Sequence, residues 1–124
     1  MMPSPSDVEI IPVPISLWAL QTLLRVAATG GSAYWATFSH QLRTAGGDYL
    51  AVMVREREPH AGTPAIHRQV GCRDLIRGLG DPSLQARQAL SNVIIGYLDP
   101  TTADTALQLT LFGELRYGQA PDSR

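Results

Sequence analysis

Helix-breaking pairs of residues divide this chain into short segments. Gly-Gly pairs occur at residues 30–31 and 46–47, and Asp-Pro pairs occur at residues 81–82 and 99–100. Glycine readily adopts the left-handed conformation in which helices end. Asp followed by Pro is a typical helix start, because Asp caps the helix and Pro fits its first position. We therefore expect the chain to fold from several short elements.

The first two segments predict an N-terminal helical hairpin. Ser16 can cap a helix that runs to residue 29, and Ser32 can cap a second helix that runs to residue 45. The Gly-Gly connection between them is too short for a crossover, so the two helices should be antiparallel. Aromatic side chains from both helices are expected to fill the core of the hairpin, namely Trp18, Tyr34, Trp35 and Phe38.

Residues 48–58 predict a central strand. Residues 49–54 form an apolar run with aromatic and β-branched members, which is typical of a buried strand, although a helix is the alternative. Pro59 ends the element in either case. Residues 59–71 contain Pro, Gly, Thr and two His, and they predict the longest loop of the chain. Long loops in small domains often carry function.

The C-terminal half predicts two helices and a second strand. Residues 72–79 can form one or two helical turns, and a long helix should run from the Asp81-Pro82 pair to residue 98. Residues 107–117 alternate between apolar and polar side chains, which predicts a strand that can pair with the central one. A helix is again the alternative, because Leu107, Leu111 and Leu115 would line one helical face.

Together these elements predict an α+β fold. We expect a single small domain with an N-terminal helical hairpin, a long capped helix and two or three strands, which spans residues 7–117. The Pro-containing ends, residues 1–6 and 118–124, are expected to be mobile tails. An all-α bundle is the alternative, and it requires residues 48–58 and 106–117 to be helical.

Charge and cysteine usage limit the classes of protein to which the chain can belong. A net charge of −1 argues against binding nucleic acid over the whole surface, so such a role needs a local patch. The single cysteine, Cys72, excludes an intramolecular disulfide and favours a reducing compartment. The apolar stretch 15–28 is interrupted by Gln21 and Arg25, which argues against a membrane span. We expect a cytoplasmic protein without membrane association.

All ten basic residues are arginine, and six of them lie between residues 55 and 87. A guanidinium group binds a carboxylate or a phosphate through two parallel hydrogen bonds, which an ammonium group cannot do. Within the Arg-Glu-Arg-Glu run at residues 55–58, however, the local charge is close to neutral. A solvated surface of weak ion pairs is therefore the alternative to a binding site. The candidate anion-binding or partner-binding residues are Arg55, Arg68, Arg73 and Arg77.

Cys72 is the candidate reactive thiol. It is flanked by Arg68 and Arg73, whose charges would favour the thiolate, and His67 could act as a base. The alternative is a buried, inert thiol. The spacing of His60, His67 and Cys72 matches no zinc-binding pattern, and no nucleotide-binding loop is present, so we expect neither a metal nor a cofactor.

The absence of a catalytic motif favours a small non-catalytic interaction or regulatory protein, such as a subunit or an adaptor. It would dock on a protein partner, or on a second copy of itself, through arginine-rich and apolar surfaces. Two alternatives remain. One is a nucleic-acid-binding or phosphate-binding accessory protein that uses the central arginines. The other is a small thiol-dependent enzyme built on Cys72.

Overall fold

The computed structural model describes residues 15–43, 50–58 and 64–118. These residues form four α-helices and a three-stranded antiparallel sheet, which confirms the predicted α+β class. In chain order the elements are α1 (Leu17–Val26), a π-helical turn (Ala27–Gly31), β1 (Ala36–Arg43), β2 (Leu50–Glu56), β3 (His67–Gly71), a 3-10 turn (Cys72–Asp74), α2 (Leu75–Leu79), α3 (Leu84–Ile94) and α4 (Pro100–Phe112).

The sheet has β2 at its centre, with β1 and β3 paired to it on either side. Successive side chains of a strand point to opposite faces of the sheet. On the inner face Val52, Val54 and Val70 are buried in the hydrophobic core. On the outer face Arg55 and His67 are exposed. The predicted central strand is therefore confirmed, and its outer face is exposed at Arg55, whereas Ala51 on the same face is buried.

Helix α4 lies at the centre of the helical layer. Every residue from Thr102 to Thr110 is buried, and the helix contacts α1, α2 and α3. Its first turn is capped by Asp99, whose side chain accepts a hydrogen bond from the backbone N–H of Thr102 at 3.0 Å. It ends at Gly113, which has a left-handed φ of 70°.

The predicted strand at residues 107–117 is wrong, because residues 107–112 belong to α4. Both the apolar and the polar residues of α4 from Thr102 to Thr110 are buried, so no exposed polar face marks the helical period in its sequence. Several buried polar side chains of α4 form hydrogen bonds with other groups of the protein. Thr110, for example, donates a hydrogen bond to the carbonyl of Ala106 at 2.7 Å.

The second helix of the predicted hairpin is also wrong. Residues 36–43 form β1, which pairs with β2 and contains an irregularity in register between Phe38 and Gln41. An extra residue at such a bulge interrupts the two-residue alternation that marks a strand. The first helix of the hairpin is confirmed as α1, capped by the Ser16 side chain. Of the aromatic residues, Trp35 lies in the core, whereas Trp18 is 67% exposed.

The long helix at residues 81–98 is confirmed with different ends. It begins as α3 at Leu84, because the Ser83 side chain caps it by accepting a hydrogen bond from Ala86 N–H at 3.2 Å. It ends at Ile94, shortly before Gly96, whose φ of 82° is left-handed.

The remaining expectations fall partly outside the described residues. The last part of the predicted loop at residues 59–71 is strand β3, while residues 59–63 lie outside the described ranges. So do residues 1–14 and 119–124, which include the predicted tails apart from residue 118. No helix among the residues that the structure describes is long and apolar enough to cross a membrane.

Candidate functional site

The adjacent residues Arg55 and Glu56 end strand β2 and lie on opposite faces of the sheet. Arg55 is exposed on the outer face, whereas Glu56 is only 2% exposed on the inner face. The sequence of residues 55–58 predicts that Arg and Glu neutralise each other locally. In the structure Glu56 does not neutralise Arg55, because the two side chains lie on opposite faces of the sheet.

Glu56 is held inside by residues that are distant in sequence. Its carboxylate accepts a hydrogen bond from the Tyr117 hydroxyl and another from the backbone N–H of Ile66 at 2.8 Å. The guanidinium of Arg116 lies 3.6 Å from the same carboxylate. Because these groups occupy Glu56, its charge is not directed at Arg55.

The outer face presents a row of three polar side chains. In the strand register Thr37 pairs with Arg55, and Arg55 pairs with His67. Two surface pockets, of about 530 and 220 Å³, are both lined by Thr37 and Arg55, and Arg57 and Glu56 also line the larger one. Within residues 15–43, 50–58 and 64–118, Arg55 forms no ion pair. This surface can therefore receive an anionic group.

The four candidate arginines do not converge on one site. Arg68 follows His67 on β3 and pairs with Val54, so it projects from the opposite face to Arg55. Arg73 is exposed in the 3-10 turn beyond β3. Arg77 lies on α2, where it forms an ion pair with Asp74 at 3.6 Å.

Cys72, the candidate reactive thiol, is fully buried in the hydrophobic core. A thiolate acts as a nucleophile only where a substrate can reach it, and burial in apolar surroundings disfavours the charged form. Cys72 is therefore a buried thiol, and its reactivity stays a prediction.

A buried polar cluster was missed by the sequence analysis. The carboxylate of Asp104 on α4 is fully buried, and it accepts four hydrogen bonds of 2.7 to 2.8 Å from neutral donors. A carboxylate offers about four acceptor positions, so this one is saturated. Since no position remains for a ligand, we assign the cluster to the stability of the fold. The donors are Ser32, Tyr34, Trp35 and Gln108.

The segment after α4 folds back onto this cluster. The side-chain amide of Gln108 binds this segment through two hydrogen bonds. Its Oε1 accepts from Tyr117 N–H and its Nε2 donates to the Gly118 carbonyl, each at 2.8 Å. The Tyr117 ring stacks on Trp35 with centroids 5.1 Å apart. Burial raises the pKa of Tyr117 to about 12, and its hydrogen bond to Glu56 adds to this effect. The pKa of Tyr34 is also raised, first by burial and then by its hydrogen bond to Asp104.

Apolar side chains are exposed on the helices as well. Ile94 and Ile95, at the C-terminal end of α3, are 49% and 76% exposed, and Tyr97 just beyond them is 57% exposed. This is the most continuous exposed apolar segment of the described chain. It offers no chemical indication of an occupant.

Among the described residues, no group of three or more His, Cys, Asp or Glu side chains is arranged to hold a metal ion. The chain matches no protein-family model, and neither the curated proteins nor the solved structures include a match to it.

Proposed function

We propose that the protein is a non-catalytic interaction protein that binds an acidic segment of a protein partner on the outer face of its sheet. The observation that carries this proposal is the environment of Arg55. Its side chain is exposed on the central strand and has no ion-pair partner in the described chain, while the neighbouring Glu56 carboxylate is turned inward. A guanidinium group can pair with a carboxylate of such a segment through two parallel hydrogen bonds.

The side chains around Arg55 favour a protein partner over a nucleic acid. The described outer-face residues include Thr37, Ser39, Met53, His67 and Gln69. Apart from the imidazole of His67, none of these side chains is aromatic, and Phe38, which lines the smaller pocket, packs against the core, so this surface lacks the row of exposed aromatic rings on which successive bases stack. The net charge of −1 also provides no broad attraction for a phosphate backbone.

Titration of the protein with a glutamate homopeptide, and with a single-stranded oligonucleotide of equal charge, tests this function. We expect the glutamate peptide to bind more tightly and to weaken as salt is raised, since the contacts are ionic. Arg55→Ala should weaken this binding about tenfold, equivalent to one charged hydrogen-bonded contact. Arg87→Ala is the matched control, because Arg87 is exposed on α3, and it should bind as the wild type does.

Absence of binding to the glutamate peptide at low salt would exclude the proposed function. Equal losses in the two arginine variants would show that the attraction is not located at Arg55. Tighter binding of the oligonucleotide, with the same dependence on Arg55, would favour the nucleic-acid alternative instead.

A further inference from the structure

Strand β3 forms one edge of the sheet. It pairs with β2 along a continuous register, from Arg55 opposite His67 to Ala51 opposite Gly71. In the described parts of the chain no strand lies on its other side. An uncovered edge strand is a template on which another extended segment can pair.

The backbone groups that face outward can be identified from the hydrogen-bond alternation. Glu56 N–H donates to the Ile66 carbonyl at 3.0 Å, so Ile66 faces β2. In an antiparallel pair alternate residues bond to the partner strand, which directs the N–H and C=O groups of His67 and Gln69 away from β2. These groups form no hydrogen bond to any described element. The next outward N–H, of Gly71, is bound by the Asp74 carboxylate at 2.7 Å.

The opposite edge of the sheet is less suitable for pairing. The bulge in β1 between Phe38 and Gln41 disrupts its regular spacing. Near the start of β1, Arg57 Nε donates to the Ala36 carbonyl at 3.2 Å, which occupies one of its edge acceptors. Bulges and occupied groups are the means by which proteins protect sheet edges. Neither feature interrupts β3 between His67 and Val70.

The charge along β3 indicates the chemistry of the segment that would pair with it. His67 lies on the outer face in the row of Arg55, and Arg68 follows on the inner face. A strand added beside β3 would place one side chain next to His67 and the adjacent one next to Arg68. The acidic residue nearest to this edge in sequence is Asp74, which is bound to Gly71 and Arg77. Acidic side chains on the added strand would therefore be favoured by Arg68 on the inner face and by Arg55 on the outer face, where the His67 ring can also donate a hydrogen bond.

We propose that the edge of β3 receives an acidic, extended segment of the partner protein as a fourth strand of the sheet. This inference rests on the proposed function and specifies how the acidic segment would bind. Main-chain hydrogen bonds to His67 and Gln69 provide the pairing, and the charges of Arg68 and Arg55 select an acidic sequence.

The test uses the capped peptide Glu-Glu-Val-Val-Glu-Glu, whose symmetry allows it to pair in either direction. Amide hydrogen exchange is followed by NMR with and without saturating peptide. The amides of His67 and Gln69 should exchange at least tenfold more slowly in the complex, because they become hydrogen-bonded. Those of Arg68 and Val70, already directed at β2, serve as internal controls and should change little.

Two comparisons isolate the main-chain bonds. A peptide with both valines N-methylated keeps its charge but loses two donors, and it should bind wild-type protein at least tenfold more weakly. Gln69→Pro removes an outward N–H at a position where an edge strand tolerates proline, and it should reduce peptide binding to a similar extent. Arg87→Ala again serves as the control.

The outcomes separate this inference from the proposed function. If the peptide binds with dependence on Arg55 but neither amide becomes protected, the added strand is excluded and the proposed function stands. Equal affinity for the N-methylated peptide likewise excludes the added strand. If no acidic peptide binds, both proposals are wrong.

Discussion

At the scale of single residues, Asp104 shows how this fold accommodates a buried charge. Its carboxylate is saturated by four neutral donors, with no cation within ion-pair distance in the described chain. These donors come from the segment after α1 and from α4 itself, so the carboxylate joins parts of the chain 69 to 72 residues apart. Its main effect is therefore to fix the position of the segment before β1 relative to α4.

Asp104→Ala should lower the free energy of unfolding by about 3 kcal/mol or more, because buried donors on Ser32 and Trp35 would lose their acceptor. Denaturant titration followed by circular dichroism measures the change. Glu114→Ala is the control, since Glu114 is exposed after α4, and it should change stability by no more than about 0.5 kcal/mol. A loss below about 1 kcal/mol in Asp104→Ala would contradict the assignment of this cluster to stability.

At the scale of elements, the contact between α2 and α4 depends on a glycine. A Cβ atom at Gly78 would lie 2.4 Å from both the Ala106 carbonyl oxygen and the Thr110 hydroxyl oxygen. Gly78→Ala should therefore destabilise the protein by about 1 to 3 kcal/mol, because α2 would have to move away from α4. Thermal unfolding measures this effect.

Gly30→Ala is the matched control for this contact. A Cβ atom at Gly30 would meet no atom within 4 Å, so the substitution should be neutral or slightly stabilising. If Gly78→Ala were as stable as the wild type, the close approach of the two helices would be refuted.

Tyr117, in the segment after α4, is expected to make the free energy of unfolding fall at alkaline pH. Burial, and then the hydrogen bond to Glu56, raise the pKa of Tyr117 from its ordinary value of 10.0 to about 12 in the folded protein. Its contribution to stability is thus complete below pH 10 and is lost as the pH rises towards 12, since only the unfolded chain releases the proton in this range. The free energy of unfolding, measured by denaturant titration between pH 8 and pH 12, should decline across this interval.

Tyr117→Phe removes the hydroxyl group and should make this alkaline decline shallower. Some decline should remain, because the pKa of Tyr34 is raised as well. If the unfolding free energy of Tyr117→Phe declined with pH as steeply as that of the wild type, the raised pKa of Tyr117 would be refuted.

At the scale of the whole molecule, the sequence predicted the class of fold better than its connections. The apolar run before Arg55 identified β2, and Ser16 identified α1, because both signals are local. Strand β1 was predicted as a helix because the bulge between Phe38 and Gln41 interrupts its two-residue alternation. The C-terminal part of α4 was predicted as a strand because the helix is buried on all sides, so no exposed face marks its helical period.

The candidate site could be predicted only in part. Strand alternation predicts that Arg55 and Glu56 face opposite ways, but the inward direction of Glu56 depends on Tyr117, 61 residues away. The donors of Asp104 are similarly distant, so no local pattern marks them. Contacts between residues so far apart in sequence form only when the whole chain folds, so the sequence around either residue does not predict them.

We propose that adjacent residues of β2 have separate roles, with Arg55 binding a partner and Glu56 stabilising the fold. The most direct test of this proposal measures the unfolding free energy and the affinity for the glutamate peptide in Arg55→Ala and Glu56→Ala. We expect Arg55→Ala to change stability by less than about 0.5 kcal/mol while weakening binding about tenfold. Glu56→Ala should lose about 2 kcal/mol or more, because Tyr117 and Arg116 lose a buried partner. Equal destabilisation by both variants, or undiminished binding in Arg55→Ala, would contradict this account.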